Sequence, residues 1–183
     1  MKKIETIKIQ HHKLAKAIKF LIDKVLDKNG EQKMNVKTSK PLVLHSLEIA
    51  FYLKNLGHKN EIVIAAVLHD LIEDTDTKKE EIKKLFGKKI TQIVEAVSYD
   101  FGENNNADYK KSFDKIKNFK EALIVKAADI KDNAKYFKFA PKKEHEQLLE
   151  KWNYFVNIAD LISNEPVYTD LNNRLIKITN EKS

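Results

Sequence analysis

Apolar residues recur along the chain at separations of three and four, the period of a helix face, and nowhere sustain the alternation of a strand. The first long run, about residues 11 to 28, sets Leu14, Ala17, Ile18, Leu21, Ile22 and Val25 at that spacing, and Asn29-Gly30 ends it. Residues 30 to 40, GEQKMNVKTSK, are polar and aperiodic and predict a loop. Pro41 fits the first turn of a second helix reaching about Leu56, with Gly57 just past its end. Asn60 and Glu61 open a third helix, expected to run on through 64-IAAVLHDLIEDTDT-77. Thr77 and Glu80 have capping-box spacing for a short helix that Gly87 stops. Ile90, Ile93, Val94 and Val97 mark another helix from Lys88 to about Ser98, and YDFGENNNA, residues 99 to 107, reads as a loop. A helix from about Phe119 to Phe139 carries Ala122, Leu123, Val125, Lys126 and Asp129. Pro141 starts one with Leu148, Trp152, Phe155 and Ile158 on a stripe, and Pro166 begins the last.

These elements predict an all-α bundle of seven or so helices. It is expected to form a single domain over residues 1–183, with a core from about 11 to 160 and a C-terminal helical extension from about 161 to 183. Composition agrees: only 4 glycines and 3 prolines interrupt the chain, so long helices are the economical reading. With 42% hydrophobic and 33% charged residues, 183 residues can bury a sizeable core. The absence of cysteine excludes disulfides, thiolate zinc sites and a cysteine nucleophile, and suits a cytoplasmic protein. The basic start MKKIETIKIQHHK is not followed by an unbroken apolar segment, so neither a signal peptide nor a membrane span is expected. A net charge of +7 would attract polyanions, yet Arg174 is the only arginine. Arginine is the residue suited to bidentate base and phosphate recognition, so nucleic acid is not the expected partner. Lysines spread over solvated helix faces are the plainer account of the charge.

The third helix raises a chemical question. On a continuous helix, His69, Asp70, Glu73 and Asp74 share one stripe, because separations of three and four lie on one face. Burying such groups without partners costs several kcal/mol, about 2–7 for a neutral polar group and more for a charge. A cation among them removes that cost, and His with Asp suits a divalent ion such as manganese, iron or zinc. One helix cannot complete such a site. Candidate ligands elsewhere are His45, in the apolar frame 42-LVLHSLEIA-50, and Asp129, in 124-IVKAADIKDN-133.

The order H…HD…D resembles the HD-domain superfamily of metal-dependent phosphohydrolases. The wording HDLIEDT, 85-LFGKKITQIVEAVS-98 and VKAADIKDN resembles more closely the hydrolase domain of the RelA/SpoT family and its small stand-alone hydrolases. That resemblance spans about Pro41 to Asn133, and more loosely the first helix to about Asp160. It implies an HD-domain helical bundle that removes the 3′-pyrophosphate of guanosine tetra- and pentaphosphate, usually with manganese. Position by position, it implies His45, His69, Asp70 and Asp129 as metal ligands. It implies Glu73 and Asp74 as the acidic pair that positions or activates water, and Asn133 and Lys126 as substrate-binding positions. A metal there would acidify water and screen phosphoryl charge, while a carboxylate accepts the proton. The implied partner is a nucleotide; neither nucleic acid nor membrane is implied.

The chain departs from the family before the first histidine of the motif, His45. Leu42 follows Pro41 where tyrosine is usual, and Lys33, Lys37 and Lys40 stand where a basic pair is expected to supply charge. Ile130 follows Asp129 where a basic residue is frequent. Two other readings therefore stay open. One is another HD-type nucleotide phosphohydrolase, such as a nucleoside monophosphatase or an adenosine-alarmone hydrolase. The other is a non-catalytic nucleotide-binding protein.

Overall fold

The computed structural model describes residues 2–36, 40–98 and 108–180, with side chains from residue 11 onward. The predicted loop 99–107 and Lys37 lie outside the described residues. The described residues contain no strand, only an isolated antiparallel bridge between Leu26 and Gln32. They form two compact units, divided between Ser98 and Tyr99.

The first unit is built on α3 (Asn60–Leu68), whose residues Ile62 to Leu68 are all buried. A helix apolar on every side needs neighbours on every side. Three surround it: α1 (Lys2–Val25), α2 (Leu42–Asn55) and α6 (Lys88–Val97). Two short helices, α4 (Leu71–Asp74) and α5 (Lys79–Phe86), lie between α3 and α6 in the chain. Leu14, Ala17, Leu21 and Val25 are the buried positions of α1, at separations of three and four. The hairpin from α2 to α3 closes with a Schellman motif, in which His58 N donates to Leu53 O and Gly57 N to Lys54 O. Gly57 takes φ +82° there, which an L side chain resists. Gly87, at φ +90°, is shared between the end of α5 and the start of α6.

Four expectations change here. Helix α1 starts at Lys2, because no glycine or proline breaks residues 2 to 10, and stops at Val25. It stops because the Asp27 carboxylate accepts the N–H groups of Asn29 and Glu31, at 2.8 and 3.0 Å, and turns the chain. The third predicted helix is two helices, broken at His69-Asp70. The carbonyl of Ala66, which a continuing helix would offer to Asp70 N–H, instead takes His69 Nδ1 at 2.8 Å. The helical ladder then restarts from Asp70 O, which accepts from Glu73 N and Asp74 N at 3.1 and 2.8 Å. The capping box is also absent: Lys78 precedes α5 with no side-chain cap. Thr77 is engaged by Thr75, whose Oγ1 lies 2.7 Å from Thr77 Oγ1 and donates to Leu71 O at 2.5 Å. Finally, α2 begins at Leu42, so Pro41 precedes its first turn and supplies the carbonyl for His45 N at 3.0 Å.

The second unit is built on α8 (Lys120–Asn133), in which Ala122 to Ile130 are all buried. It packs against α7 (Tyr109–Ile116) and α10 (Pro166–Asn180). Helix α7 was not in the predicted set; Asp108 caps it by accepting Lys111 N at 3.1 Å. The predicted helix to Phe139 ends at Asn133 and tightens into a 3₁₀ segment, Ala134–Phe139. Helix α9 (His145–Ile158) buries Trp152 and Phe155, while Leu148 and Ile158 are half-buried. The break at His69 and the addition of α7 help bring the described residues to ten α-helices, more than the seven or so expected.

Candidate metal centre

His45 sits one turn into α2 on the face that packs against α3, and is 2% exposed. His69 and Asp70 stand at the break between α3 and α4, 1% and 6% exposed. Their ligand atoms lie within 4.8 Å of one another. His69 Nε2 is 3.1 Å from Asp70 Oδ1, and His45 Nε2 is 3.6 Å from Asp70 Oδ2. A carbonyl can only accept, so the contact of His69 Nδ1 with Ala66 O places the ring proton on Nδ1. In the neutral ring, Nε2 is then the lone-pair end, turned toward a carboxylate oxygen. Imidazole nitrogens 3.1 and 3.6 Å from the oxygens of one carboxylate, in a set that fits within 4.8 Å, have the spacing of ligands around one ion with ~2.1 Å bonds. The donor set therefore fits a divalent cation, and the backbone contact of His69 is the kind that fixes a ligating ring.

Lys40 completes this cluster. Its ammonium donates to Asp70 Oδ2. The sequence offers Lys40 only as one of three lysines able to supply charge. Lys33 instead donates to the main-chain carbonyl of Asp23. No local spacing links Lys40 to Asp70, thirty residues away, so only the fold brings them together.

Glu73 and Asp74, in the single turn of α4, are half-buried. Burial, and after it the negative charge of Asp70, pushes the Asp74 carboxyl up to about 6. Lys40 pulls the other way, as His69 and His45 do when protonated. A carboxyl held near neutrality is suited to accept and release a proton at working pH.

Asp129, Lys126 and Asn133 lie in the second unit, along α8. Lys126 Nζ donates to Asp129 Oδ2 at 3.0 Å, and Asn133 Nδ2 donates to Asp129 Oδ1 at 2.6 Å. Asp129 and Lys126 are 4% and 2% exposed. The structure thus gives both predicted substrate-binding positions a defined contact, an oxygen of Asp129 each.

The HD-domain family description matches residues 25–148, a span that contains His45, His69, Asp70 and Asp129. The chain belongs to the HD-domain family. The HD-domain chain is 37% identical over 113 residues to an Aquifex aeolicus protein named guanosine-3′,5′-bis(diphosphate) 3′-pyrophosphohydrolase. That match covers 60% of this chain and 16% of the relative. A Mycoplasma pneumoniae protein named as a probable enzyme of the same kind is 30% identical over 189 residues, 93% of this chain and 26% of its own length. The HD-domain chain thus spans about a quarter, or less, of the length of these curated relatives. Among solved structures, it superposes on the metazoan SpoT orthologue described as hydrolysing ppGpp, with a TM-score of 0.72 and 19% identity. That likeness covers 93% of this chain and 96% of the other, and shows a shared all-α fold. None of the HD-domain chain's described helices is long and apolar enough to cross a membrane.

Proposed function

We propose that this chain is a divalent-metal-dependent hydrolase that removes the 3′-pyrophosphate of guanosine tetra- and pentaphosphate. The observation that carries the reading is the buried cluster of His45, His69 and Asp70, with ligand atoms within 4.8 Å of one another. The relatives' names supply the substrate class, and manganese is the proposed metal. Asp129 is the proposed fourth ligand, on the motif match.

When bound, the ion would acidify water and neutralise charge on the phosphoryl oxygens. The chain's own residues do the rest. His45, His69 and Asp70 hold the ligand positions in a buried frame. Asp74, with its carboxyl near 6, takes the proton of the attacking water, and Glu73 orients that water from the same turn. The water oxygen bonds to the phosphorus attached to the 3′ oxygen. The bond from that phosphorus to the 3′ oxygen breaks, and the 3′ oxygen leaves as a hydroxyl after taking up a proton. Lys126 and Asn133 are proposed to face substrate as well as to hold Asp129. In this reading, residues 1–183 form one functional domain acting in the cytoplasm on a small nucleotide.

The test is product analysis with manganese and a nucleotide panel. Pyrophosphate release from the 3′ position is expected in the wild type and is lost in Asp70→Ala and Glu73→Ala. Metal is retained in Glu73→Ala and lost in Asp70→Ala. Release of monophosphate alone, or turnover of other nucleotides but not this one, would replace the reading with another HD-type phosphohydrolase.

A further inference from the structure

Arg174, the single arginine of the chain, stands in a cleft of the second unit that has no part in the site above. The cleft has a volume of about 440 Å³. Lys135 and Lys138 enter it from the 3₁₀ segment, Arg174 and Lys177 from α10, and His145 from the start of α9. Among the described residues, no acidic side chain lines it. Asp132 takes up part of this charge by pairing with Lys135 from outside the lining. Four cations still converge on one concave surface.

Arg174 gives that surface a direction. Its Nη2 donates to Ala134 O in a long contact of 3.5 Å, while Nε is buried and has no hydrogen-bond partner among the described residues. An atom closed to solvent is closed to a ligand too, so the guanidinium can meet an anion in the cleft only through its terminal nitrogens. His145 is fixed as a wall. Its Nε2 donates to Ala140 O at 2.9 Å, and its ring packs on Phe137 with centroids 4.2 Å apart. Phe137 is only 7% exposed, so the lining offers no open aromatic face for a base to stack on. The recognition available is of charge and oxygen.

We propose that this cleft binds a pyrophosphate-type anion through its phosphoryl oxygens, whether free pyrophosphate or the diphosphate of a nucleotide. Several cations spread over this volume suit an anion with two linked phosphates better than a single carboxylate, and the fork of Arg174 suits paired phosphoryl oxygens. The site is separate from the proposed hydrolase chemistry and stands without it.

Calorimetry of the full chain in chelator decides the matter, titrating inorganic pyrophosphate and, separately, guanosine diphosphate. An Asp70→Asn background removes any contribution of the metal centre. Both ligands are expected to bind with similar affinity, weakened about tenfold or more in Arg174→Gln. The double variant Lys138→Gln/Lys177→Gln removes two exposed cations and keeps the test open should Arg174→Gln unfold. Each lysine is expected to contribute about two- to fivefold. Three results overturn the proposal. One is no binding up to millimolar pyrophosphate, or affinity unchanged in the double variant. Another is binding of the nucleotide without binding of pyrophosphate, which would mean that the base is read. The third is tighter binding of a single-stranded oligonucleotide, rising with its length, which would make the cleft part of a nucleic-acid face.

Discussion

Helices α3 and α8 are the two that the fold buries most completely; α8 carries one aspartate of the HD-family motif, and the other, Asp70, stands just past the end of α3. The two aspartates are neutralised in different ways. Asp129 takes its partners from its own helix, Lys126 three residues before and Asn133 four residues after. Asp70 has its neighbour His69 beside it and takes its other partners from elsewhere: His45 from α2 and Lys40 from the segment before Pro41. The helix around Asp129 continues unbroken, whereas α3 ends at His69-Asp70. A charge neutralised within its own helix is fixed as soon as that helix forms. A charge neutralised across the fold depends on a segment that a bound cation can displace. The first arrangement supplies a pre-set carboxylate and the second an exchangeable one.

The largest test of this contrast is stability. Lys126→Met leaves a buried carboxylate without its in-helix cation, and such losses cost about 3–5 kcal/mol. Lys40 is 28% exposed in its side chain, so Lys40→Met in chelator should cost no more than about 1 kcal/mol. Urea unfolding monitored by circular dichroism measures both. Equal costs would erase the distinction between the two aspartates.

The next effect has the opposite sign. The Lys40 ammonium occupies Asp70 Oδ2, an oxygen that a divalent ion would share with His45. Lys40→Met should therefore tighten manganese binding about fivefold, read by competition with a chelating dye. Weaker binding in Lys40→Met would mean that the lysine orients the carboxylate for the metal instead of competing with it.

The same contrast explains what the sequence could disclose. The helix faces were legible because period and burial coincide, as at Leu14, Ala17, Leu21 and Val25. The set on α8 was legible in spacing, since Lys126, Asp129 and Asn133 lie three and four apart. The break after Leu68 was not, because it depends on His69 Nδ1 taking the Ala66 carbonyl from the helical ladder. Helical periodicity has no term for a side chain that competes with the backbone. Thr77 misled for a related reason: its hydroxyl engages Thr75 instead of capping α5. Lys40 was legible only as charge, since its contact with Asp70 spans thirty residues and belongs to the tertiary fold.

The smallest effect concerns Asp74, and its sign follows from linkage. Its carboxyl is raised from 3.8 to about 6, by burial first and then by Asp70. A group whose folded value lies above its unfolded one contributes stability that is complete below about 3.8 and lost as pH rises through about 6. Asp74→Asn has no proton to lose. In chelator, the variant should therefore match the wild type near pH 4 and exceed it at pH 8. Because Asp74 is only half-buried, solvent screening limits the gain to about 1 kcal/mol, and thermal melts at the two pH values measure it. A variant less stable than the wild type at pH 8 would show that Lys40, His45 and His69 outweigh burial and hold the carboxylate charged. Asp74 would then belong to the cationic cluster and not to the water-activating pair.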